Sequence, residues 1–185
     1  MRWIPLLALT YVVVFVQTSL GTVLSIQVPS LGVLSPDLAA IVAVFIALRA
    51  RSGLDAAISA WVLGLALDLT SAGGVSASTV IGPMSLTYVL ASGMLFRIRE
   101  AFFRERALTQ ALLALFFCLI AHWLWVTAQA LLGGRLAWRD YGRILLQAAA
   151  LAVYTAALTP LGHYFLGLIE KWFIATVAVR GQGRR

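Results

Sequence analysis

Six long apolar segments, separated by short charged or glycine- and proline-containing stretches, make up most of this 185-residue chain. Hydrophobic residues account for 62% of the sequence and charged residues for only 11%, whereas soluble domains average about 45–50% and about 25%. A soluble fold of this length would leave too much apolar surface in water. Because a membrane-spanning helix uses about 20 mostly apolar residues, the composition predicts an all-α membrane protein with no separate soluble domain.

The charges and helix-breaking residues divide the chain into a predicted six-transmembrane-helix bundle that forms one integral membrane domain. The predicted spans lie at about residues 3–24, 36–51, 54–70, 76–98, 107–132 and 144–168. Residues 169–185 are predicted either to continue the sixth helix into the cytoplasm or to lie in the membrane interface as an amphipathic helix.

The second predicted span is the shortest. Pro36 and Asp37 are favoured in a first helical turn, which predicts Ser35 as the N-cap. At about 16 residues this helix would be about 24 Å long. Arg49 and Arg51 would therefore have to extend along the helix to reach the lipid surface.

The basic residues are distributed unevenly between the two sides that six spans define. Only Arg135, Arg139 and Arg143 fall on one side, and the other 11 of the 14 basic residues fall on the opposite side. By the positive-inside rule, both termini are predicted to lie in the cytoplasm. The residues predicted to form a cytoplasmic basic surface are Arg49, Arg51, Arg97, Arg99, Arg104 and Arg106. The net charge of +7 is then mainly an orientation signal, with attraction to anionic lipids or an acidic partner as a secondary interpretation.

Asp68 is the main candidate for a functional residue, because an acid inside a predicted span is costly. Counting back in steps of four gives Gly64, Ala60 and Ala56, so Asp68 lies on a stripe of small residues. Such a stripe favours close helix packing and directs the acid toward another helix rather than toward lipid. Three roles are open: a structural carboxylate bonded to backbone amides or hydroxyls, an ion or proton site, and contact with a partner helix.

Other intramembrane polar residues are predicted to hydrogen-bond between helices. His122 lies near the middle of the fifth span, where a hydrogen bond to a neighbouring helix is the first interpretation and a pH sensor or ligand contact the second. Gln17 and Gln147 are predicted to form interhelical bonds.

An enzymatic function is not expected. A two-acid mechanism needs paired carboxylates, whereas Asp37 and Asp55 are predicted at helix ends on opposite sides of the membrane. The sequence also lacks metal-ligand spacing, a nucleophile with its base, and a phosphate-binding loop. No cofactor, metal or nucleic acid is therefore predicted.

Three stretches taken together resemble the rod shape-determining protein MreD family: PDLAAIVAVFIALRARSG, then AWVLGLALDLTSAGG, then a helix ending in LFRIRE. In that family a Pro-Asp or Pro-Asn pair begins a short apolar helix, and a basic turn leads to a helix that ends in Gly-x-x-x-Asp-Leu before glycine-rich residues. The matching positions are Pro36-Asp37, Gly64, Asp68-Leu69 and Gly73-Gly74. The resemblance covers about residues 36–106.

The resemblance implies a non-enzymatic scaffold of the bacterial cell-wall elongation complex in the inner membrane. The implied main partner is the single-span protein MreC, with cytoplasmic MreB, RodA and its transpeptidase partner nearby and membrane lipids around the bundle. MreD-like proteins are also thought similar in fold to the substrate-binding subunits of energy-coupling-factor transporters. The alternative function is therefore a substrate-binding subunit of a vitamin-type transporter, with an extracytoplasmic pocket formed by Asp68 and residues 25–35.

Overall fold

The computed structural model describes residues 3–21, 23–71, 81–99, 106–133 and 138–173. Within these ranges the chain is mostly helical, with six helices and one short β-hairpin. In chain order the elements are α1 (Trp3–Leu20), β1 (Ile26–Val28), β2 (Gly32–Leu34), α2 (Leu38–Arg49), α3 (Gly53–Ser71), α4 (Pro83–Ile98), α5 (Ala107–Gly133) and α6 (Trp138–Phe173).

Three helices are long and apolar enough to cross a membrane: α3 over Gly53–Thr70, α5 over Ala107–Leu132 and α6 over Asp140–Glu170. Large apolar side chains also cover the outside of the bundle; Ile4 and Leu108, for example, are each 83% exposed. Apolar surface of this extent is expected where the surroundings are lipid rather than water. The predicted all-α fold is therefore confirmed, and the three long apolar helices are consistent with a membrane protein.

The short helix α2 lies at the centre of the bundle. Every residue from Ala39 to Leu48 is buried, and α2 contacts each of the other five helices. Its 12 residues give a length of about 18 Å, well below the thickness of about 30 Å of a bilayer's apolar core. Because α2 is enclosed by protein, its free terminal N–H and C=O groups need partners from other helices.

Arg99 provides those partners at the C-terminal end of α2. Its Nη1 atom donates to the carbonyl oxygens of Ala47 and Ala50 at 3.0 and 2.5 Å, and its guanidinium carbon lies 3.8 Å from the centre of the Phe96 ring. The positive charge faces the negative end of the helix dipole. Arg99 is only 7% exposed, so its assignment to a cytoplasmic basic surface was wrong. Arg49, Arg51, Arg97 and Arg106 are exposed, and Arg104 lies outside the described residues.

Two boundaries in the first half of the chain differ from the prediction. Helix α1 ends at Leu20 instead of residue 24. Helix α2 begins at Leu38, and its N-cap is Asp37 rather than Ser35, because Oδ1 of Asp37 accepts the backbone N–H of Ala40 at 2.9 Å. Aspartate is among the most favourable N-cap residues. Asp37 therefore caps the helix, which begins later than the prediction with Ser35 as the N-cap implied.

Residues 25–35, which separate the first two predicted spans, contain the hairpin. Ile26 pairs with Leu34 and Val28 with Gly32 in an antiparallel register. Gly32 has a φ of 90°, a left-handed conformation that glycine adopts without steric cost. A glycine following the turn thus allows the chain to reverse before α2.

The boundaries of α4 and α6 also differ from the prediction. Pro83 is the first residue of α4, a position that suits proline because the residue lacks an N–H; residues 76–80 lie outside the described residues. Helix α6 extends from Trp138 to Phe173, so residues 169–173 continue the sixth helix. Residues 174–185 are likewise outside the described part of the chain.

Candidate functional site

Asp68 lies in the last part of α3, and its carboxylate accepts hydrogen bonds from the N-terminus of α4. Its Oδ2 atom accepts the backbone N–H groups of Gly82 and Ser85 at 3.0 and 3.1 Å, and its Oδ1 atom accepts that of Met84 at 3.3 Å. The N–H groups at a helix start have no partner within the helix, and a negative charge there also faces the positive end of the dipole. Asp68 is 5% exposed. This geometry corresponds to the structural role, one of the three roles left open by the sequence.

Gly64 makes this contact possible. A Cβ atom at this position would lie 2.6 Å from the Cα of Ser85 and 2.8 Å from the carbonyl oxygen of Met84. Only a residue without a side chain lets the backbone of α4 approach α3 so closely. Asp68 follows one turn later on the same face, where it reaches the N–H groups of α4. In the Gly-x-x-x-Asp spacing, the glycine therefore lets α3 and α4 approach closely, and the aspartate hydrogen-bonds the first N–H groups of α4.

The rest of the small-residue stripe continues the α3–α4 contact. Ala56 and Ala60 are each 1% exposed, and the carbonyl oxygen of Ala56 accepts a hydrogen bond from Oγ of Ser92 on α4 at 3.2 Å. The two glycines of the motif, Gly73 and Gly74, lie outside the described residues.

Asp37 joins three further helices to the start of α2, two through its carboxylate and one through its backbone N–H. Its Oδ2 atom accepts the hydroxyl of Tyr88 on α4 and lies 3.2 Å from Nε2 of His122 on α5. Its backbone N–H donates to Oγ1 of Thr155 on α6 at 3.0 Å. Asp37 is 3% exposed, and Tyr88, His122 and Thr155 are also buried. We call these four residues the Asp37 cluster.

The two glutamines bond different parts of the chain. Oε1 of Gln17 on α1 accepts the backbone N–H groups of Leu38 and Ala39 at 3.1 and 3.2 Å, which is an interhelical contact of the kind predicted. Gln147 instead donates from Nε2 to the carbonyl oxygen of Val33 at 3.3 Å, so it bonds α6 to the hairpin and not to another helix. With Gln17 included, side chains from α1, α4, α5 and α6 meet at the start of α2.

The Asp37 cluster was not predicted from the sequence. Asp37 was predicted to lie at a helix end, and His122 was predicted to bond a neighbouring helix without a named partner. A carboxylate before a short, wholly apolar segment is a usable signal, because such a charge must be bonded from other helices. Tyr88 and Thr155 have no local pattern that distinguishes them from other polar residues in apolar helices.

A cavity of about 200 Å³ lies next to Asp68 and His122. Gln129 and Trp125 complete its more polar wall, and the remaining lining residues are Leu67, Met84 and Leu151. The hairpin does not line this cavity; hairpin residues 27–29, 32 and 33 line a separate depression. Within the described ranges, no group of three or more His, Cys, Asp or Glu residues could hold a metal ion.

Comparison of the chain with known protein families, with curated proteins and with solved structures gives no match. The resemblance to the MreD family therefore rests on the motif residues alone.

We expect Asp68→Ala to lower the yield of folded protein far more than Asp55→Ala. The first substitution leaves three N–H groups at the start of α4 without their acceptor. Of these, the N–H of Ser85 is in a buried bond, and leaving a buried group unbonded costs about 1–3 kcal/mol. Asp55 lies in the first turn of the same helix and is only half-buried. The measurement is the monodisperse fraction after detergent extraction. Equal yields of the two variants would contradict a structural role for Asp68.

Proposed function

We propose that this chain is a non-enzymatic scaffold of the bacterial cell-wall elongation complex that binds an MreC-like single-span protein, as its resemblance to the MreD family implies. The observation that carries the proposal is the use of the two motif acids. Asp37 and Asp68 are both buried, and each accepts backbone N–H groups at the start of a helix. Acids engaged in this way hold a rigid platform together, whereas a catalytic acid needs access to a substrate.

The proposed architecture is six spans with both termini in the cytoplasm, similar to the substrate-binding subunits of energy-coupling-factor transporters. Arg99 from α4 bonds the end of α2, and Arg49 at that end forms an ion pair with Glu170 of α6. The ends of α2, α4 and α6 therefore lie together, as three spans running in the same direction require. Arg51 and Arg97 add exposed positive charge at this end, which suits a cytoplasmic face.

The enclosure of α2 supports counting it among the spans despite its length. Five helices surround it, and its two ends are bonded by Gln17, Asp37 and Arg99. A helix of about 18 Å can then lie within the bilayer without placing unbonded backbone groups in lipid.

The proposed scaffold function can be tested by capturing the tagged chain from native membranes in mild detergent. We expect an MreC-like single-span protein to co-purify in a fixed ratio, and we expect less of it with Asp68→Ala than with Asp55→Ala when equal amounts of folded chain are compared. An unrelated tagged multi-pass protein is the control. A folded, monodisperse chain that never retains a single-span partner would contradict the proposal.

The cavity beside Asp68 favours a second candidate, a vitamin-type transporter subunit. Its volume of about 200 Å³ and its mixed wall of Asp68, Gln129 and apolar residues are compatible with a small organic ligand. A vitamin-like molecule retained by the purified protein, detected by mass spectrometry after denaturation, would support this candidate over the scaffold.

A further inference from the structure

The contact between His122 and its own helix determines which ring nitrogen carries hydrogen. Nδ1 of His122 lies 2.9 Å from the carbonyl oxygen of Cys118. A carbonyl oxygen can only accept a hydrogen bond, so Nδ1 must be the donor. A neutral imidazole has a single N–H, and this contact uses it.

The other ring nitrogen faces an acceptor as well. Nε2 of His122 lies 3.2 Å from Oδ2 of Asp37. With a neutral ring and an ionised carboxylate, a lone pair would face a lone pair inside the protein. The contact is favourable only when one further proton lies between the two atoms.

The surroundings of Asp37 indicate which atom holds that proton. Its carboxylate already accepts the N–H of Ala40 and the hydroxyl of Tyr88, and it caps the positive N-terminal end of α2. Hydrogen bonds from donors and a nearby positive dipole both favour the ionised form of a carboxyl group. The proton therefore belongs on Nε2, which makes His122 an imidazolium.

We propose that Asp37 and His122 form a buried proton-binding site, which holds one proton as a carboxylate–imidazolium pair and joins the start of α2 to α5. The other titratable side chains around it are Tyr88 from α4, Cys118 from α5 itself, and Asp68 from α3, which lines the same cavity as His122. Among the described residues, helices α1 and α6 contribute the uncharged Gln17 and Thr155. His122 lines the cavity, which gives the proton a side from which it can enter or leave.

Nuclear magnetic resonance of the full chain with ¹⁵N-labelled histidine tests this site. The sequence contains only two histidines, His122 and His163. His163→Gln removes the second signal and keeps a donor for the carbonyl of Ile41, which His163 contacts at 3.3 Å. We expect both ring nitrogens of His122 to remain protonated at a pH about one unit above 6.5, where a free imidazole is mostly neutral.

Asp37→Asn is the matched variant, because asparagine is an equally good N-cap but carries no charge. We expect His122 to lose its second proton in this variant at the same pH and to keep only the hydrogen on Nδ1. The spectrum of the unsubstituted cluster decides the proposal even if the variant does not fold: a singly protonated His122 at that pH overturns it. A doubly protonated His122 that is unaffected by Asp37→Asn also overturns it, because the proton would then not depend on Asp37. This test does not depend on the proposed scaffold function.

Discussion

Gly64→Ala is expected to destabilise the protein by about 1–3 kcal/mol, the usual cost of forcing an extra group into a well-packed interface. The new Cβ would lie 2.6 Å from the Cα of Ser85 and 2.8 Å from the carbonyl oxygen of Met84. Both are backbone atoms, which cannot rotate away, so the start of α4 must move outward. That movement also lengthens the hydrogen bonds that Asp68 accepts. The measurement is thermal unfolding in detergent, followed by circular dichroism.

Gly93→Ala is the control for this substitution. Gly93 lies inside α4, and a Cβ there would have no heavy atom within 4 Å apart from the adjoining backbone of its own helix. Because alanine is the better helix former by about 1 kcal/mol, we expect Gly93→Ala to be neutral or stabilising. Gly64→Ala should thus lower the stability of the protein, and Gly93→Ala should not. A Gly64→Ala protein as stable as the Gly93→Ala protein would mean that α3 and α4 do not approach each other at Gly64.

The burial of Asp68 could be predicted because it follows from a local rule. Residues four apart lie on one face of a helix, so the stripe from Ala56 to Asp68 predicts that the acid faces a neighbouring helix. The identity of its partners does not follow from this rule. They are backbone N–H groups 14 to 17 residues further along the chain, and side-chain periodicity carries no information about which N–H groups of another helix lie free.

The partners of Asp37 were harder to predict for a related reason. Tyr88 and Thr155 lie 51 and 118 residues away in sequence, on helices whose outward faces are apolar as well. Without a polar outer face, the sequence of a helix does not indicate how the helix is rotated about its own axis. Only packing against several neighbours determines which of its few hydroxyl groups points to the centre of the bundle.

The misplacement of Arg99 has a different physical origin. The positive-inside rule counts basic residues on each side of a membrane and says nothing about their depth. It therefore grouped Arg99 with the exposed Arg97. Residues two apart on a helix face different directions, so the exposure of Arg97 does not imply that Arg99 is exposed. Because α2 is shorter than a bilayer, its last carbonyl groups need a buried donor, and that need follows from the length of α2 rather than from any feature around Arg99.

His122→Leu is expected to destabilise the protein by about 3–5 kcal/mol, the cost of removing one partner from a buried ion pair. Leucine is similar in size to histidine, so packing is largely kept. The carboxylate of Asp37 would keep the two donors from Ala40 and Tyr88. A buried charge without its counter-charge is costly whether it stays ionised or takes up a proton from solvent.

Adding Asp37→Asn to His122→Leu should restore part of this loss. The double variant retains an N-cap acceptor for α2 and no longer buries a charge, so we expect it to be more stable than His122→Leu alone although it carries one more substitution. A double-mutant cycle measured by denaturant or thermal unfolding in one detergent gives the coupling between the two residues. If the two single costs simply add, Asp37 and His122 are not paired. A partial recovery of stability instead means that His122→Leu destabilises the protein mainly because it leaves the Asp37 carboxylate without a counter-charge, and not because the packing of the imidazole ring is lost.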